Sequence, residues 1–371
     1  MFLKYRNLFT KPFNIILGWF CIAFIGAILF TFNNENFYNK PIGQIIDVKH
    51  VSSTPTKDAQ NNRDIKYKNQ LKVKILNGQF AGETTINHQY VKSQADSEAF
   101  RTHEKVLLHI SNKPSDAYII EKKRDTLTVI ITGLFLLTVL LVGRKVGLQS
   151  ILSLILNSIA ILIAIYIHIQ HSNINLFLLM TIAMICSTIL TLLLVTGWHM
   201  RTLITVASTI IGTFLSIGLT ELIIYMTDGK GIKYETMNFL SLPPKDIFLA
   251  SVLIGSLGAI MDVAITIASG MHEILQRTPH ISMKRWALAG RNIGQDIMGT
   301  MTNILLFSYL SGALPMFLIF LKNANTVTYT ISMNWSLEIA RALTGGIGIV
   351  LTIPITILFM EIFETLRRAK Q

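Results

Sequence analysis

The chain has 371 residues, of which 51% are hydrophobic and only 15% are charged, and its mean hydropathy is +0.50. These values lie outside the range of ordinary soluble domains and indicate a membrane protein. The formal net charge of +12 could suit nucleic acid, but much of it flanks apolar segments, where it sets membrane orientation, so nucleic-acid binding is not expected. Both cysteines, Cys21 and Cys186, lie inside apolar segments, so neither a disulfide framework nor a thiolate metal site is expected.

Eight apolar segments are each long enough to cross a bilayer as a helix, which takes about 20 residues. They are residues 13–32, 126–143, 147–169, 174–196, 202–226, 247–269, 299–321 and 337–362. The first segment has a basic flank like a signal peptide, but it lacks a small-residue cleavage site, so we expect an uncleaved anchor. The sequence therefore predicts an α-helical polytopic membrane protein with about eight transmembrane helices.

Lys and Arg residues in the short loops predict the orientation of these helices. One set of alternate segments carries most of them, including Lys4, Arg201, Arg285 and Arg368, and the other set carries few. Because Lys and Arg concentrate in cytoplasmic loops, we expect a cell-membrane protein with both termini in the cytoplasm. The cluster 122–124 (KKR) falls on the opposite side, but it closes a long translocated domain, for which the rule is weak.

Residues 33–125 are polar and are expected to form an extracellular β-rich domain, so that the chain divides into residues 1–32, 33–125 and 126–371. Strand-like patterns occur at residues 42–51, 71–75, 83–91, 105–110 and 117–121. Five short strands predict a small barrel of the OB or SH3 type, serving either for packing or for binding a partner. Residues 52–69 have few large apolar side chains, and we expect a mobile loop there.

Ionisable residues inside apolar segments are candidates for a functional site, because they are costly in a membrane. Asp262 lies in the sixth segment, where Gly255, Gly258 and Ala259 share its helical face. If the helix continues, Glu273 joins this face. Small residues permit close helix packing, so the pattern predicts either a polar binding site or a carboxylate that merely bonds to a neighbouring helix.

Glu221 in the fifth segment is a second acidic candidate, or else a boundary residue near water. Residues 270–300 are too many for a turn and too polar to span, and their apolar spacing predicts an interfacial helix. Glycines interrupt it at Gly290, Gly294 and Gly299. Arg291 and Asp296 cluster where the chain re-enters the membrane. Broken backbone at that depth is tolerated beside an aqueous cavity, which predicts a substrate or ion path; an amphipathic surface helix is the alternative.

Two long motifs carry a resemblance to a known family. They are residues 258–264 (GAIMDVA) with 266–269 (TIAS), and residues 292–303 (NIGQDIMGTMTN) with 314–315 (LP) after them. Both motifs resemble those of the YibE/F-like membrane proteins. Residues 73–82, 104–110 and 118–125 are similar to the family's outer portion, so the resemblance covers nearly the whole chain and is strongest from 125 to 325. Gly294-Gln295 departs from the family's usual Gly-Arg before the aspartate. The resemblance implies the architecture and names no substrate.

Two functions remain open. In a permease or ion-coupled transporter, Asp262, Glu273, Asp296 and Glu221 would bind a cation or proton, and Arg291 would balance charge or contact an anion. In a non-transporting envelope or assembly scaffold, the outer domain would bind a partner. An enzyme is not expected, because the chain lacks zinc-protease and serine-hydrolase motifs, and no cofactor is expected. The expected partners are the lipid bilayer, a small solute or ion, and either a second copy held through the small-residue faces or an envelope protein bound by the outer domain.

Overall fold

The computed structural model describes residues 11–58, 61–80, 82–94, 97–111, 113–171, 173–234 and 243–369. The chain divides into two compact units, Met1–Leu148 and Gln149–Gln371. The first contains helix α1 (Lys11–Phe32), strands β1 (Ile42–Lys57), β2 (Arg63–Ile75), β3 (Gly82–Val91), β4 (Lys105–His109) and β5 (Tyr118–Lys122), and the beginning of α2 (Asp125–Gln170). The second contains the rest of α2 and helices α3 (Leu176–Thr196), α4 (Met200–Met226), α5 (Pro244–Arg277), α6 (Met283–Lys322), α7 (Val327–Asn334) and α8 (Ser336–Ala369).

The five strands form one antiparallel sheet with the order β3-β2-β1-β4-β5. On β2, Leu71, Val73 and Ile75 alternate with lysines and are at most 3% exposed, as a strand with one buried face requires. The β-rich domain is therefore confirmed. Strands β3 and β5 are the two edges, and β4 pairs with β1 only over Ile42–Gln44, so the described strands form an open sheet where a closed barrel was expected.

The prediction of a mobile loop at residues 52–69 is wrong for residues 52–58 and 61–69, and residues 59–60 lie outside the described part of the chain. Strands β1 and β2 continue through this region as a long hairpin, paired from Gly43 with Ile75 to Lys57 with Arg63. The ring of Tyr67 lies 5.7 Å from that of His50 and 5.3 Å from that of Tyr90. Ladder hydrogen bonds and these cross-strand ring contacts order a segment whose composition alone offers too little apolar surface.

Among the described residues, seven helices are long and apolar enough to cross a membrane: α1 to α6 and α8. Helix α2 has 46 residues, or about 69 Å at 1.5 Å per residue, more than twice the ~30 Å hydrocarbon core. Its backbone leaves helical geometry at Arg144, with φ 50° and ψ −123°, which is where the second and third apolar segments were expected to separate. All eight predicted segments thus fall on these helices, and the polytopic helical fold is confirmed.

Within the second unit, α8 packs against α4, α5 and α6. Gly348 of α8 allows this approach, because a Cβ there would lie 2.5 Å from Ile260 of α5 and 3.2 Å from Ser216 of α4. The core around it includes Met271 and Trp286, both fully buried, and the indole N–H of Trp286 donates to the carbonyl of Met271 at 2.8 Å. This bond fixes the beginning of α6 to the last third of α5.

Candidate functional site

Asp262 lies near the middle of α5, on a face that is exposed in the single chain. Thr266, one turn further, is also exposed and donates its hydroxyl to the carbonyl of Asp262 at 2.7 Å. The opposite face of the helix carries the fully buried Ile260, Val263 and Ile267. The apolar side chains therefore take the core, and the carboxylate points away from it.

The helices α5 and α6 run antiparallel, and the contacts between them show which part of α6 lies beside Asp262. Gly255 lies against the hydroxyl of Tyr309, and Gly270 lies against Ile293. Because Asp262 is midway between the two glycines, it comes level with the part of α6 midway between Ile293 and Tyr309.

That part of α6 carries further exposed polar residues: Asp296, Thr300 and Asn303. Asp262 and Asp296 are separated by about 8 Å along the helix axis, from the 1.5 Å rise per residue. We call Asp262, Thr266, Asp296, Thr300 and Asn303 the acidic face. A carboxylate at the centre of a spanning helix costs about 2.5–3.5 kcal/mol when it faces lipid, so this face requires water, a cation or another polar surface.

The other two acidic candidates have a basic partner of their own. Helix α5 continues through Glu273, as the pattern required, but Glu273 pairs with Arg277 at 2.6 Å at the exposed end of the helix. Glu221 pairs with Lys245 at 2.7 Å, and both side chains are about half exposed. Neither carboxylate is brought to Asp262 by these contacts.

Arg291 lies on a different side of α6. It lines a cavity of about 860 Å³ between α6 and α8, together with Lys284, Gln295 and Glu361. The remaining lining is largely apolar and includes Pro354. Arg291 is therefore placed in a separate groove, away from the α5 side where Asp262 lies.

The predicted break in residues 270–300 is wrong from Met283 onward, because α6 is one continuous helix over 40 residues. A Cβ at Gly294 would lie 2.6 Å from Ile353, and one at Gly290 would lie 2.6 Å from the Sδ of Met271. These glycines give neighbouring helices room to approach, and that packing outweighs the cost of about 1 kcal/mol of a glycine in a helix.

The small residues of α5, and Gly299 of α6, differ in how closely they approach a neighbouring helix. Gly255 makes a close approach, since a Cβ there would lie 1.7 Å from the hydroxyl oxygen of Tyr309. Ala259 packs against the central core. A Cβ at Gly258 or Gly299 would meet no atom within 4 Å, so these two make no close helix contact within the described ranges.

Sequence reasoning missed a polar junction in the first unit, between the end of α1 and the beginning of α2. Asp125 accepts hydrogen bonds from Lys123 at 2.7 Å, Asn34 at 2.9 Å and Tyr38 at 3.0 Å. The spacing of these residues in the chain gives no signal for such a cluster, because the sheet brings its members together.

A second ion pair completes this junction, between Lys105 of β4 and Glu35. Burial raises the pKa of Glu35, but the hydrogen bond from Lys105, a backbone hydrogen bond and the positive charges of Lys105 and Lys123 together outweigh it, so the pKa lies below its usual value. Lys122 pairs with Glu104, and Arg124 pairs with Glu98, so each basic residue of the cluster 122–124 has an acidic partner.

Among the described residues, no group of three or more His, Cys, Asp or Glu side chains is placed to hold a metal ion. Residues 131–365 match the family model described as YibE/F-like protein, and residues 36–123 match that of the YibE/F family N-terminal domain. No curated protein and no solved structure matches the chain. The first of these matches spans more than half of the sequence, and it includes both motifs that surround Asp262 and Asp296. The chain therefore belongs to the YibE/F-like family.

Proposed function

We propose that this protein is a permease or ion-coupled transporter, and that its path follows the acidic face. The observation that carries the proposal is the exposed Asp262 at the middle of an apolar spanning helix. A bare carboxylate in lipid is unfavourable, and ionisable residues within spanning helices commonly mark ion paths and proton relays.

The neighbouring polar groups support a cation or proton as the bound species. Asp296 supplies a second carboxylate on the adjacent helix, and Thr300 and Asn303 supply oxygen atoms at the height of Asp262. Oxygen ligands suit hard cations, and two carboxylates about 8 Å apart along the helix axis offer a cation or proton successive positions along this face. In this mechanism Asp262 and Asp296 take up the cation or proton. Its release returns both carboxylates to their free state, so that the next transport cycle can begin.

The test is flux through the purified full-length protein in liposomes under an imposed Na⁺, K⁺ or proton gradient. We expect Asp262→Asn to abolish the flux and Asp296→Asn to reduce it. The matched control is Asp246→Asn, the same change at the first turn of α5, outside the acidic face. If the wild type moves no ion or solute and Asp262→Asn keeps full cellular function, the proposal is wrong.

A scaffold that binds an envelope partner is the second candidate. It is favoured by the β1–β2 hairpin, which extends beyond the buried core of the sheet and exposes Val51 to 60%. Deleting residues 41–121 and substituting Asp262→Asn separate the two functions in cells. Loss of function only on deletion supports the scaffold, whereas loss with Asp262→Asn supports transport.

A further inference from the structure

Two adjoining cavities lie where α4 begins and where α5 and α8 end. Their volumes are about 150 and 390 Å³, and they share His272, Leu275, Glu364 and Arg367 as lining residues. The smaller one also contacts Arg201, and the larger one contacts Arg368. We call this pair of cavities the basic pocket. It is separate from the acidic face, and no step of the proposed transport uses it.

The basic pocket carries an excess of positive charge. Glu364 is the acidic residue among those lining the described cavities, against the three arginines Arg201, Arg367 and Arg368. Its side chain is 7% exposed, accepts a hydrogen bond from Nε of Arg368 at 2.8 Å, and pairs with Arg367 at 3.5 Å. One buried carboxylate therefore holds two guanidinium groups in place and neutralises the charge of only one.

Two hydrogen-bond donors of residues that line the basic pocket have no partner of their own among the described residues. Nε of Arg201 is buried and has no hydrogen-bond partner within the described part of the chain. Gln276 donates its amide to Nε2 of His272 at 3.0 Å, which leaves the other ring nitrogen protonated and able to donate. Helix α4 begins here with no side-chain cap on His199, so the positive end of its dipole adds to the field.

We infer that the basic pocket binds a phosphate group. The planar donors of arginine match phosphate oxygens, and a dianion balances a site with two positive charges in excess. The group can belong to a soluble phosphate or to the headgroup of an anionic lipid, because basic pockets at the ends of transmembrane helices bind such headgroups.

The test uses the full-length protein and two probes. Inorganic phosphate is titrated against the protein in detergent at constant ionic strength, and separately the protein is placed in phosphatidylcholine nanodiscs with and without phosphatidic acid. The readouts are the melting temperature and the dissociation constant. A higher melting temperature with inorganic phosphate identifies a soluble ligand. A higher melting temperature with phosphatidic acid alone identifies a lipid headgroup. Either result supports the pocket.

The variants assign the binding to this pocket. Arg367→Gln and Arg201→Gln each remove a charged donor, and we expect binding about tenfold weaker. Arg367 is 53% exposed, so its substitution keeps the fold even if that of Arg201 does not. The matched control is Arg277→Gln, an exposed arginine at the end of α5 that pairs with Glu273. If neither probe raises the melting temperature, or if Arg367→Gln binds like the wild type, the inference is overturned.

Discussion

Adding one methyl group at Gly348 should destabilise the junction of α4, α5 and α8. In Gly348→Ala, the new Cβ would stand 2.5 Å from Cδ1 of Ile260, nearly 1 Å inside ordinary contact, and 3.2 Å from Cβ of Ser216. Both neighbours are at most 1% exposed, so a shift of either side chain must be accommodated within the packed core. Overpacking of this kind costs about 1–3 kcal/mol.

The control is Gly218→Ala in α4, where a Cβ meets nothing within 4 Å. Replacing a helical glycine by alanine gains about 0.5–1 kcal/mol in either place, so the difference between the two variants isolates the steric cost of about 1–3 kcal/mol. Unfolding of the purified protein in mixed micelles with increasing dodecyl sulfate measures it. If Gly348→Ala proves as stable as Gly218→Ala, the three helices do not pack as described.

Two further predictions concern the β-rich domain of the full-length protein. Lys105→Met leaves the mostly buried Glu35 unpaired and should cost about 1–3 kcal/mol at neutral pH. Because the folded pKa of Glu35 is lowered, its contribution is complete above its usual value of 4.5 and is lost as the pH falls through the folded pKa, so melting curves of variant and wild type should converge in acid. Equal melting temperatures at neutral pH would contradict this. Burial lowers the pKa of His88, so its contribution to the free energy of unfolding is complete above pH 6.5 and declines below it. His88→Phe should remove that decline. If the pH dependence of the melting temperature is unchanged in this variant, His88 is not its source.

Local pattern was sufficient for much of the fold. The eight apolar segments predicted the spanning helices because the length of a membrane helix is set by the bilayer. The alternation of Leu71, Val73 and Ile75 predicted β2, because only one side of that strand is buried. The break in α2 at Arg144 falls in the gap expected between the apolar segments 126–143 and 147–169. The orientation of the termini and the limits 1–32, 33–125 and 126–371 stay predictions.

The remaining features depend on contacts between residues far apart in the chain. Gly290 and Gly294 suggested a broken helix, but Met271 and Ile353 fill the space beside them and stabilise a continuous one. Residues 52–69 suggested a mobile loop because their amino-acid composition does not reveal that they pair as neighbouring strands. The candidate site was predicted only in part for the same reason. The sequence pattern identified Asp262 and Asp296, but only the antiparallel contacts of α5 and α6 show how far apart they lie along the helix axis.

The ion pairs of the cluster 122–124 have a consequence for how the protein is made. Glu98 and Glu104 reach Arg124 and Lys122 only after the sheet has formed, because Glu98 lies between β3 and β4 and Glu104 directly precedes β4. A nascent chain therefore carries unpaired cations immediately before α2, and a folded one does not. Folding of the β-rich domain pairs these charges, so we expect it to influence how α2 settles in the bilayer.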